Sequence, residues 1–305
     1  MAFFAGGERR GDHAPRPRRS VHGVLQRRSI GAGRMNVALL RKTLRDSRWL
    51  LLACVLGAAA FEMLWVLVVS EFADDLLQLW RKIEFLRRML RALLSVDISE
   101  DVSVTTLLAM GLVHPLLLSL NWALAIATCT RVTVGEIDRG TADLLLSLPI
   151  SRSNVYLTTS IVWIAGGALI AAGAWCGLAI GQRVLDLPEA PNLWRLLIAV
   201  VNLYAFYLAC AAMTLLAATV VDRRGVAVAI ALTVLLVSFL VNFLEVFVPL
   251  VRHISFLGFL YYYRPVEVVR DAHWPVVPLM VLLSAAAGCW LIGWRRFATR
   301  DIPAT

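Results

Sequence analysis

Gly135–Arg152, GEIDRGTADLLLSLPISR, is the stretch on which the reading of this chain turns. It is a charged island between two long apolar runs. Glu136, Asp138, Arg139, Gly140 and Thr141 come first. A short apolar patch, Leu144-Leu145-Leu146, precedes Pro149 and Arg152. A plain connecting loop needs no apolar patch. A segment that docks on another protein at a membrane surface does, because apolar residues rimmed by charge suit a polar-rimmed interface. Asp138 to Leu148 is expected to form a short helix. Leu144 and Leu148 lie four apart and share a face, with Leu145 beside them. Pro149 stops that helix, since it lacks an amide donor and restricts the residue before it. Ser151 then offers a cap for the next helix. The alternative reading is an interfacial loop anchored in lipid headgroups.

The apolar runs on either side set the class of protein. Hydrophobic residues make up 59% of the 305 and charged residues 17%, against roughly 45–50% and 25% in soluble domains. Mean hydropathy is +0.73. These values define an integral membrane protein. The net charge of +9 is therefore read as arginine crowding on the cytoplasmic side, and nucleic acid is not expected as a partner. Lys42 and Lys82 are the only lysines, and neither follows a glycine. A phosphate-binding P-loop needs a Gly-Lys pair at a helix start, so the chain does not hydrolyse ATP by that route. Cys54, Cys129, Cys176, Cys210 and Cys289 all fall in apolar runs without CxxC spacing. They are expected to be buried free thiols.

Six runs are long enough to cross ~30 Å of hydrocarbon: about 49–70, 104–129, 157–180, 194–221, 225–250 and 275–294. Asp222-Arg223-Arg224 separates the fourth from the fifth. Residues 1–34, rich in Arg, Gly and Pro, read as a disordered tail, and Met35 is the alternative start. Residues 35–302 form the second domain. Within it, 35–48 read as a short helix on the inner membrane surface. In the segment 71–103, Leu76, Leu79, Trp80, Ile83, Leu86, Leu90, Leu93 and Leu94 share a helical face, predicting an amphipathic helix at the outer interface. With both termini inside, inner segments carry 20 basic residues and outer segments 10, as the asymmetry of Lys and Arg across membranes requires.

The island then brings a resemblance. The pattern G-E-x-x-x-G-T-x-x-x-L-L-S-x-P-[IL]-S-R is met by Gly135, Glu136, Gly140, Thr141, Leu145, Leu146, Ser147, Pro149, Ile150, Ser151 and Arg152. It resembles the permease subunits of ATP-binding-cassette transporters of the type-2 exporter class. Phe297-Ala298-Thr299-Arg300-Asp301 resembles the family's F-x-x-R-D ending, and Leu260 to Pro265 its aromatic-proline segment before the last span. The resemblance covers about residues 36–302. It implies an all-α fold of six transmembrane helices with an N-terminal interfacial helix, a cytoplasmic coupling helix and a membrane-dipping segment between spans five and six. It also implies a separate ATPase subunit seated on Glu136, Asp138, Arg139, Gly140, Thr141, Leu144, Leu148, Pro149 and Arg152. A homodimer or heterodimer of permeases in the cell membrane follows from the same resemblance, with no cofactor.

Polar residues inside the spans are candidates for the substrate path. Glu62 lies mid-span in the first helix; Asn242 and Glu245 share a face of the fifth. Intramembrane acids are costly and usually face the bundle or a cavity. A substrate or proton role is the functional reading, and an interhelical hydrogen bond the alternative, with Asn242 paired to Glu245 or Asn202. His114-Pro115 predicts a kink, not a metal site. Tyr261, Tyr262, Tyr263 and Trp274 suit an outer aromatic belt. Two other functions are open: an intramembrane enzyme using Glu62, His114, Glu245 and His253, or a non-transporting assembly subunit. No HExxH or GxSxG sequence supports the enzyme.

Overall fold

A computed structural model of the protein describes residues 37–83, 103–139, 151–187 and 189–300. The expected tail (1–34), the outer-helix residues Leu86, Leu90, Leu93 and Leu94, and the island residues Gly140, Thr141, Leu144, Leu148 and Pro149 lie outside the described residues.

The described secondary structure is helical throughout. Helix α1, Val37–Lys82, runs for 46 residues, roughly 69 Å at 1.5 Å per residue. No break falls at residue 48, so the helix expected at the inner surface is not a separate element. The physical reason is legible in retrospect: the 46 residues hold no proline and one glycine, Gly57, and nothing between Ser47 and Trp49 ends the helix. The first turns of the expected outer helix, through Lys82, also belong to α1.

The second run is two helices, α2 (Val104–Val113) and α3 (Pro115–Arg131), bent by 40°. Pro115 has no amide to continue α2. His114 Nδ1 accepts instead from the Leu116 amide at 3.2 Å and caps α3. A single turn, α4 (Gly135–Asp138), opens the island. Next come α5 (Arg152–Val184), α6 (Leu193–Val220) and α7 (Arg224–Leu244). Ser151 caps α5 as expected, its hydroxyl accepting from Asn154 N at 3.2 Å. The fifth run ends at Leu244, earlier than expected. Pro249 forces Val248 into extended backbone (φ −121°, ψ 106°) and starts a separate turn, α8 (Pro249–Arg252). Two 3-10 turns (Ser255–Leu257, Phe259–Tyr262), α9 (Pro265–Asp271) and α10 (Val276–Thr299) complete the order. Among the described residues five helices are each long and apolar enough to span a membrane: α1, α5, α6, α7 and α10. The bent α2–α3 pair makes six if it is one span.

Helix α6 is the centre, touching α3, α5, α7, α9 and α10. Inside lipid no water drives helices together, so close packing and interhelical hydrogen bonds must do so. Helix α5 supplies both. On one face Gly173, Gly177 and Gly181 let α1 approach: a Cβ at Gly173 would lie 2.8 Å from Val55 O, and one at Gly177 2.2 Å from Ala59 O. On another face Gly167 seats the Tyr207 ring of α6, whose hydroxyl donates to Trp163 O at 3.0 Å. Toward α10, the Tyr156 hydroxyl donates to Trp290 O at 2.8 Å, and Trp290 Nε1 donates to Ser160 Oγ at 2.8 Å. The outer faces of α1, α7 and α10 expose Leu56, Leu64, Leu236, Leu240, Val277 and Met280, an apolar surface suited to lipid tails or another apolar helix. Cys54, Cys129 and Cys210 are buried free thiols, Cys289 is half-buried, and Cys176 is exposed on α5 against expectation.

The segment between α7 and α10 folds back onto the bundle. Tyr263 is 1% exposed. Its ring stacks on Phe206 at 5.0 Å, and its hydroxyl donates to Leu112 O at 2.7 Å. It is therefore a core residue and not part of an aromatic belt; Trp274, exposed and edge-on to Trp194, fits that description better. Tyr263→Phe keeps the stacked ring and removes the donor to the last turn of α2. The expected cost is about 1 kcal/mol, read as a lower melting temperature of the purified protein in detergent.

Candidate functional site

The described flanks of the island are tied into the ends of the surrounding helices. On the leading side, Gly135 folds close under Thr130; a Cβ there would sit 3.2 Å from Thr130 O. Glu136 then pairs with Lys42 of α1 at 3.6 Å and with Arg139 at 3.0 Å. Arg131 Nη1 donates to Asp46 O of α1 at 2.7 Å. Arg224, at the start of α7, donates from Nε to Thr130 Oγ1 at 3.3 Å. Asp138 and Arg139 are exposed.

On the trailing side, Arg152 Nη1 donates to the backbone carbonyl of Arg300, just past the end of α10. Arg300 in turn donates from Nη1 to Thr219 O of α6 at 3.1 Å, and its Nη2 pairs with Asp222 in the α6–α7 turn. The two flanks together contact α1, α6, α7 and α10. Exposed ion pairs are each worth about 0–1 kcal/mol, so Lys42–Glu136 serves as a guide of position more than as a source of stability. Arg300 is better enclosed, its side chain 13% exposed, and hydrogen bonds from a charged donor are worth about 1.5–3 kcal/mol. The sequence pointed to Glu136 and Arg152. It missed Lys42, Thr130, Arg224 and Asp222, whose roles depend on which helix ends meet; Arg300 was visible only within the F-x-x-R-D resemblance.

The three candidates for a substrate path fall into two places. Glu62 is fully buried between α1 and α2. Its Oε2 would lie 2.8 Å from a Cβ at Gly111, where the Trp65 indole also packs. It faces no open surface in this structure. Asn242 is buried on α7, one turn before Glu245. Glu245 Oε1 lies 3.5 Å from Arg264 Nη2, and Asn202 Nδ2 donates to Tyr262 O at 3.4 Å. Arg264 also donates to Glu267 at 3.2 Å and lies over the Tyr261 ring. With Glu267, His273 and Trp274 it lines a cavity at the end of the bundle opposite the island. Tyr263 and Arg264 are neighbours, so one short segment reaches both places.

The groups that an intramembrane enzyme would need are not assembled. The His114 ring rests on Phe61 at 4.9 Å and caps α3. His253 Nδ1 meets Pro249 O, and Glu245 is held by Arg264. Among the described residues no group of His, Cys, Asp and Glu is placed to hold a metal ion.

Among the described residues, a helical bundle with five or six candidate spans and island flanks bonded to its helix ends is a multi-pass membrane component. Compared with known families, residues 37–270 match the ABC-2 family transporter protein. The chain belongs to that family and is a transmembrane permease of an ATP-binding-cassette transporter. No curated protein matches the chain.

Proposed function

We propose that this permease is an exporter subunit energised by a separate ATPase that docks on residues 135–152. The observation that carries the reading is the pair of bonded flanks. Glu136 reaches Lys42 of α1, and Arg152 reaches Arg300, which holds α6 and the α6–α7 turn. A push on the described flanks would reach those helix ends directly. The missing Gly-Lys pair supports an outside source of ATP energy. In this reading Leu144 and Leu148 fill an apolar groove of the ATPase, while Asp138, Arg139, Gly140, Thr141 and Pro149 shape the rim and the end of the docking helix.

Two permeases pair in the cell membrane, with the substrate path at their interface. The exposed apolar faces of α1, α7 and α10 offer surface for that pairing and for lipid. Both ends of the described chain meet the island, through Lys42 and Arg300. With the island taken as cytoplasmic, both ends of the described chain are read as cytoplasmic too, a reading supported by the 20 basic residues against 10.

The test is co-expression of this chain with a P-loop ATPase subunit of the same transporter class, followed by co-purification. Leu144→Asp with Leu148→Asp is expected to abolish co-purification while leaving the permease monodisperse, since burying two carboxylates in an apolar groove is strongly unfavourable. Undiminished binding of the ATPase to the double variant would defeat the docking account.

A further inference from the structure

Among the described residues Glu62 stands apart. Both carboxylate oxygens are buried and neither has a hydrogen-bond partner. Its place is also specific. It sits against Gly111 in the last turn of α2, where any side chain at position 111 would collide with the carboxylate and with Trp65. The last carbonyls of a helix carry partial negative charge. An ionised Glu62 would therefore face the negative end of a helix, inside a span, where an uncompensated charge is costly.

Among the described residues no cation on the neighbouring elements compensates it. Helix α2 has no charged residue. The one arginine of α3, Arg131, is bonded to Asp46 O at the island end. Helix α5 presents Gly177 and Gly181 to this part of α1; its Arg152 is bonded to Arg300, and its Arg183 is exposed. His114 accepts a hydrogen bond at Nδ1, which leaves its ring neutral. The Tyr263 hydroxyl is a neutral donor spent on Leu112 O. Arg264, next in sequence, is held by Glu245 and Glu267.

We propose that Glu62 is a proton-binding site. In this conformation it is a neutral carboxylic acid packed against the last turn of α2. A movement of the α2–α3 bend at His114 that admits water would let the proton leave. The proposal does not depend on ATPase docking, and either can fail while the other stands.

The experiment is infrared spectroscopy of the purified full chain in lipid nanodiscs at neutral pH. The wild type is expected to show the C=O stretch of a buried protonated carboxyl, shifted in D2O. Glu62→Gln is expected to lose that band and to keep its melting temperature, because glutamine copies the size and donor of the neutral acid. A spectrum without the band, or a band that persists in Glu62→Gln, overturns the proposal. If Glu62→Gln cannot be purified, wild-type membranes treated with dicyclohexylcarbodiimide decide it, since that reagent modifies protonated carboxyls in apolar surroundings. An adduct mapped to the Glu62 peptide upholds the site; an unmodified Glu62 overturns it.

Discussion

Gly177→Leu is expected to prevent α1 from seating on α5. A Cβ at this position would lie 2.2 Å from Ala59 O and 3.0 Å from Ala59 Cα. Both are backbone atoms of a long unbroken helix, so no side-chain rotation relieves the collision. The helices must separate, and the contacts of the neighbouring Val55 and Val66 layers go with them. Overpacking in a filled core costs about 1–3 kcal/mol and at times more; a backbone collision in the largest helix interface of the bundle belongs at the upper end. The measurement is the yield of monodisperse protein and its melting temperature. Gly288→Ala is the control: nothing lies within 4 Å of a Cβ there, and replacing a mid-helix glycine is expected to be neutral or to stabilise by up to about 1 kcal/mol. Equal behaviour of the two variants would remove the close approach of α1 and α5 from the account of stability.

Arg300→Ala is expected to release the end of α10. The guanidinium holds Thr219 O and Asp222, and the Arg300 carbonyl gives Arg152 its partner. Losing the charged donors costs about 2 kcal/mol locally, a factor of roughly 30 in opening. Hydrogen exchange of the last turn of α10 should speed up by that factor, while exchange in α6 near Tyr207 stays protected. Arg300→Lys keeps the charge but not the two-pronged geometry, so its exchange should fall between the two. Unchanged exchange in Arg300→Ala would show that the end of α10 is held by something else.

The apolar runs made the spans legible, because length and hydropathy are properties of contiguous sequence. Their ends were legible where chemistry marks them, as with the Ser151 cap and the His114-Pro115 bend. Span five ends at Leu244 although the residues beyond it stay apolar, because Pro249 holds Val248 in extended backbone, a stop that hydropathy does not register. The separate surface helix before span one failed for the opposite reason: polarity changes at residue 48, but the backbone has no cause to break there. Tyr263 looked like one of three equivalent tyrosines. Only the tertiary fold shows that it alone turns inward to Phe206 and Leu112. The island was visible as a motif, while the partners of its flanks come from helices far away in sequence, such as Arg152 with Arg300.

The uninterrupted course of α1 has a mechanical consequence. A helix with no proline and no break turns as one rod. Lys42, paired with Glu136, and Glu62, enclosed in the span, are two points on that rod roughly 30 Å apart. The facing pair, α2 and α3, has a joint at His114. A stiff element lying beside a jointed one cannot share its bending, so any relative displacement is concentrated where the two meet. One such meeting place is the contact between Glu62 and Gly111, three residues before the joint, so the most enclosed acid among the described residues lies where bending of the pair would be felt.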